Sequence, residues 1–159
     1  MKLNNDYWNA LDKENQYSGI SARYLGTSTH PAKDQLQELK SRIFWGASTI
    51  EIGFAGRGKE AGRAVPEVYG KEEREAIKQL AKINEVTTSV HAPVNVIGFS
   101  GLGEGGFRDE IAADNMQEVK RTIDFAADTT QGGPVVIHTG EFPREISKFK
   151  GFEAYKGET

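Results

Sequence analysis

Four short runs rich in β-branched residues, separated by three stretches of helical periodicity, limit this chain's fold more than any other feature. Ile20 to Leu25, Thr49 to Phe54, Val86 to His91 and Val135 to His138 read as strands. Between them, apolar residues recur every three or four positions. The first such stretch runs from about Ala32 to Trp45, with Leu36, Leu39 and Ile43 inward and Phe44 at the margin of that face. The second, about Lys71 to Asn84, carries Ala76, Ile77, Leu80 and Ile83. The third, about Arg108 to Asp128, carries Ala112, Met116, Val119, Ile123 and Ala126. A hydroxyl residue before Pro31 suits a helix start, and Gly46 a helix end.

The order β-α-β-α-β-α-β implies parallel strands joined by right-handed crossovers. A doubly wound sheet and a (β/α) barrel both satisfy it. The long loops, 55–70 and 92–107, both follow strands, and the returns from helix to strand are short. A barrel concentrates its functional loops in that way. A doubly wound sheet shares part of the bias. The first strand-to-helix turn lacks the G-x-G-x-x-G signature of dinucleotide folds. The expected fold is α/β, the N-terminal half of a (β/α)8 TIM barrel. A full barrel takes about 250 residues, and this chain has 159. The expectation is a truncated or partial barrel over residues 17–159, preceded by a helical extension over 1–16. In that extension, Leu3, Tyr7, Trp8 and Leu11 share one face that could cover the bottom of the domain.

Composition removes several alternatives. With 37% hydrophobic and 27% charged residues, the chain is ordinary for a soluble globular domain. Its net charge of −3 advertises no basic surface. Without cysteine it has neither disulfides nor thiolate ligands, so a metal must use His, Asp, Glu, carbonyls or water. No apolar run approaches the roughly 20 residues of a membrane helix. The first residues lack the apolar core of a signal peptide. The expected setting is cytoplasmic, with no membrane partner.

His91 and His138 close the third and fourth expected strands. In a parallel sheet these ends are neighbours about 5 Å apart, so two imidazoles there can share one divalent ion. The bland alternative is a pair of strand-end histidines satisfied by hydrogen bonds; two at matching positions favour the metal. Zinc is the first candidate, with manganese or magnesium behind it. Glu51 alternates with Ile50 and Ile52, which turns it to the opposite face, either toward the site or onto an exposed strand face; a parallel strand covered on both sides favours the site. Glu141 follows His138 closely and is the other candidate catalytic carboxylate, or simply a solvated loop acid. His30, in the first strand-to-helix loop, is a candidate substrate-binding residue against a plain role at the helix start. Arg57, Lys59 and Arg63 lie among glycines in 55–70 and could approach phosphate, although a flexible surface loop is the commoner case. Asn95 and Arg108 border the loop 92–107 and are further candidates for substrate binding. Its glycines, Gly98, Gly101, Gly103, Gly105 and Gly106, suggest a flexible lid.

The string Ser89-Val90-His91-Ala92-Pro93, followed after a helix by Val135-Val136-Ile137-His138-Thr139-Gly140, resembles the xylose-isomerase-like TIM-barrel superfamily. The likeness is greatest to its endonuclease IV branch, which has V-H-A-P after the third strand and H-x-G after the fourth. It covers roughly residues 17–142. The resemblance implies that His91 and His138 are metal ligands. Val94 stands where the family has Tyr, and the family's remaining ligands belong to strands five to eight. It implies a metal-dependent phosphodiesterase acting on damaged DNA. The alternative within the superfamily is a sugar or sugar-phosphate isomerase or epimerase. A third possibility is a non-catalytic half-barrel or assembly subunit. Its partner would be a second copy or the missing C-terminal half, because unpaired edge strands invite association.

Overall fold

The computed structural model describes residues 25–57, 62–103 and 106–140. The expected helix over 1–16, most of the first expected strand, Lys59 and Glu141 lie outside them. Parallel pairing builds one four-stranded sheet: β1 (Gly26–Ser28), β2 (Thr49–Gly53), β3 (Thr87–His91) and β6 (Val135–Val136), in that spatial order. Three helices connect these strands: α1 (Gln35–Phe44), α2 (Lys71–Ile83) and α3 (Asp109–Thr129). The fold is therefore α/β, with a parallel sheet alternating with helices.

Strand alternation divides the sheet into two faces. Ile50, Ile52 and Val90 are fully buried in one cluster with Leu39 of α1, Ile77 of α2 and Phe125 of α3. All three helices thus cover the same face. Phe54, Tyr69 and Phe125 meet edge to face at its centre, with ring centroids 5.0 to 6.0 Å apart. Edge-to-face geometry places ring hydrogens against π clouds and adds to the burial.

Several boundaries differ from the sequence reading. The strand beside β2 is Gly26–Ser28, later than expected, and Leu25 is exposed. Its neighbour β2 imposes the extended conformation, and the ladder continues as Thr29 N donates to Glu51 O at 2.9 Å. Helix α1 starts after Asp34, whose carboxylate accepts from Gln37 N and caps it. Gly46 ends α1 as expected, at φ +88°. Helix α3 is rotated relative to the predicted stripe. Phe125, Thr122 and Glu118 are buried with Val119 and Ala126, whereas Met116 and Ile123 are exposed. Phe44 and Ile83 are exposed as well.

The described residues of the loop 92–107 carry several bonds of their own. They include a small antiparallel pair, β4 (Leu102–Gly103) with β5 (Gly106–Phe107). Arg108 N donates to Gly101 O at 3.0 Å, and Asn115 Nδ2 donates to Gly98 O at 2.8 Å. Gly101 has φ +75°, and a side chain there would strike the Arg108 carbonyl. Among the described residues, no helix is long and apolar enough to cross a membrane.

Candidate functional site

The face on which no described helix packs is polar because the alternate residues of β2 and β3 are polar. Register pairs Ser28 with Glu51, Glu51 with Ser89, and Gly53 with His91. These residues form rungs across one face, and Gly26, Thr27, Ser28, Thr49, Glu51 and Ser89 line a shallow cavity of about 430 Å³ there. The carboxylate of Glu51 is half-buried, one rung below the level of His91.

His91 ends β3, and His138 stands two residues beyond β6. Because His91 pairs with Val136, the two histidines project from the same face. Their ring centroids are 4.7 Å apart, with planes at 80°. Backbone bonds fix this end of the sheet: Ala92 N donates to Val136 O at 2.9 Å, and Val94 N donates to Phe54 O at 3.0 Å. The His91 Nδ1 stands 2.6 Å from the Ala92 carbonyl, which can only accept. Nδ1 therefore carries the proton, and Nε2 of the neutral ring keeps a free lone pair. That tautomer is the one a metal-ligating imidazole needs. The donor set fits half of a tetrahedral zinc shell. Among the described residues, no group of three or more His, Asp or Glu could hold an ion.

His30 has the opposite arrangement. Its Nδ1 accepts from Ala32 N at 3.2 Å, so in the neutral ring Nε2 carries the proton. Its backbone is held as well: His30 N donates to Glu38 Oε2 at 2.9 Å, and Gln35 Nε2 donates to the His30 carbonyl at 3.0 Å. His30 thus serves the turn into α1, and its exposed ring can offer an N–H to a ligand.

The expected cationic residues separate. Arg63 binds Asp34 at 2.8 Å, pairs with Glu73 and lies over the Tyr69 ring at 4.4 Å. Its bond to Glu73 holds the guanidinium above, and the carboxyl below, their ordinary pKa values. Burial raises the Tyr69 hydroxyl, which donates to Arg63 O at 2.9 Å and accepts from Gln35 N at 2.8 Å. Arg63 is thereby a clamp on the loop after β2. Arg108 precedes α3, and its backbone joins the loop 92–107 to the first turn.

Arg57 and Asn95 do come together. With Ile111, Asp114, Asn115 and Glu118 they line a cavity of about 210 Å³. Arg57 Nε binds Glu118 Oε1 at 2.8 Å, and Arg57 Nη2 binds Glu67 at 3.2 Å. Glu118 escaped the sequence reading, although a signal existed. It lies four residues before Thr122 and seven before Phe125, on the true buried stripe of α3. Phasing that helix on Met116 and Ile123 hid it.

Fold and site together define an α/β protein with paired imidazoles at the carboxyl edge of a parallel sheet. Comparison with protein-family models, curated proteins and solved structures found no match.

Proposed function

We propose that this chain forms half of a (β/α) barrel and holds a divalent ion, zinc first among candidates, through His91 and His138. The observation carrying this reading is the 4.7 Å pairing of the two rings, with His91 Nε2 left available by its tautomer. Among the described residues, the strand order follows the chain without reversal, and the three helices α1, α2 and α3 lie on one face. A doubly wound sheet reverses its order at a switch point; a barrel does not. These features support the half-barrel.

A bound ion would supply Lewis acidity, polarising a ligand oxygen. Among the chain's own groups, Glu51 sits on the same face and can move a proton, and His30 can donate an N–H. Between the two enzymatic readings, the ion pairs favour the isomerase or epimerase class with a small hydroxylated substrate. Among the described arginines, Arg42, Arg57, Arg63, Arg74 and Arg121 are paired with carboxylates, and Arg108 is not. A phosphodiesterase for DNA needs unspent cations along the backbone path. Assembly through the sheet is compatible with both readings, since Val136 is 38% exposed on the face opposite the three described helices.

The test is metal content of the purified full chain by mass spectrometry after dialysis against zinc, for wild type, His91→Ala and His138→Ala. Stoichiometric zinc in the wild type, lost in both variants, supports the site. Equal zinc in all three proteins sinks it.

A further inference from the structure

Helix α3 carries two large apolar side chains that no described element covers. Met116 is 41% exposed and Ile123 is 48% exposed. They are seven residues apart, so at 3.6 residues per turn they lie one above the other, about 20° apart around the helix. The same geometry places them roughly 120–160° around from Arg121 and Asp128. Those two residues face the elements on the other side: Arg74 of α2 binds Asp128 at 2.8 Å, and Glu67 lies 3.9 Å from Arg121. The exposed pair therefore stands on the flank of α3 turned away from α2.

The path of the chain leads to that flank. The four strands are parallel and in chain order, and α1, α2 and α3 cover one face. Each right-handed step moves the chain one strand along the sheet and its helix one place along that face. β6 is the strand beyond β3, so a further step of the same hand brings the chain back over the same face beside α3, on the side away from α2. The beginning of that step is already placed. Ile137, the residue after β6, packs on the small cluster of Ala92, Val96 and Val119. Val119 lies three residues after Met116 and four before Ile123, so the chain leaves the sheet close to the exposed pair. Residues 141–159 follow, and they supply Phe142, Ile146, Phe149, Phe152 and Tyr155. Burying apolar surface of the flank under these side chains removes both from water, which is favourable. We infer that the flank of α3 bearing Met116 and Ile123 is the docking face for residues 141–159 of this same chain. His138 stands between Ile137 and that segment, so docking holds the loop of His138 at both ends.

The inference stands on topology and exposure, and its test is separate from the metal. The chain has no cysteine, so a single introduced cysteine carries a single nitroxide label. Lys120→Cys puts the label on the exposed side of α3, within one turn of both Met116 and Ile123. Backbone amide spectra of the full chain would be compared with the nitroxide oxidised and reduced. The expected result is paramagnetic broadening of the resonances of Ile146 to Phe152 within one molecule. It should be absent when an isotope-labelled chain without nitroxide is mixed with a nitroxide-labelled chain without isotope. Ile123→Asp and Phe149→Asp should each abolish the broadening and leave the amide shifts of Ile50, Ile52 and Val90 in place. The Phe149 variant leaves α3 unaltered and keeps the test valid should Ile123→Asp fail to fold. No broadening in 141–159, or undiminished broadening in the Phe149→Asp chain, would overturn the assignment. Broadening in the mixed sample alone would overturn it too, by giving the flank to a second copy.

Discussion

The two faces of the sheet use the same strands for opposite purposes. On one face Ile50, Ile52 and Val90 are wholly buried under three helices. On the other, Glu51, Ser89 and His91 alternate with them and remain only half-buried. The covered face supports stability through close packing, where lost volume is felt directly. The open face holds polar groups whose replacement removes little packing. A single strand such as β3 can therefore present His91 on the polar face while Val90 anchors the strand, because adjacent side chains point in opposite directions.

Substitutions can break this contrast. The largest effect should come from Phe125→Ala, which empties the centre of the aromatic cluster. A loss of about 4 kcal/mol in urea unfolding is expected, from the transfer and cavity terms of a buried Phe. A loss below about 1 kcal/mol would show that the covered face is not the principal core. Gly56→Ala should come next, at roughly 1–3 kcal/mol for a side chain at positive φ that also meets Asn95; an unchanged melting temperature would refute the close approach. On the open face, His91→Ala and His138→Ala should alter stability by no more than about 0.5 kcal/mol in chelator. In zinc, the wild type should melt higher than either variant, by the binding linkage. Identical melting curves with and without zinc in all three would erase the functional half of the contrast.

The smallest effect concerns pH. The Arg63 bond holds the Glu73 carboxyl below its ordinary 4.5. A carboxyl with a depressed folded pKa binds fewer protons when folded, so its contribution is present above pH 4.5 and fades as pH falls through the lower folded value. The stability gap between wild type and Glu73→Gln should narrow as pH falls below 4.5. A gap that stays constant would mean that the pair does not couple to folding.

Much of the architecture was legible because it is locally encoded. The alternation in Thr49–Gly53 and Thr87–His91 names the strands and assigns Glu51 to the face opposite Ile50 and Ile52. Gly46 marks the end of α1 through its left-handed backbone. The site was legible only in part. His91 and His138 follow from their strand-end positions, but Arg63 looked free in the chain and is bound to Asp34 and Glu73. The glycines of 92–107 suggested mobility, yet two of them allow the loop to lie tightly against α3: Gly101 adopts positive φ, and a side chain at Gly103 would meet Ile111.

The sequence by itself determined the order of strands and helices, and that two histidines would sit at neighbouring strand ends. Periodicity and turn chemistry act over a few residues, so both could be read from the chain. Only the tertiary structure decided the rest. It set the rotation of α3, which buries Phe125 and Glu118 and exposes Met116 and Ile123. It also brought Arg57 to Glu118 and Asn95 onto Gly56, closing a polar cavity. These outcomes depend on residues far apart in the chain competing for the same space and the same charges, and local pattern carries no record of that competition.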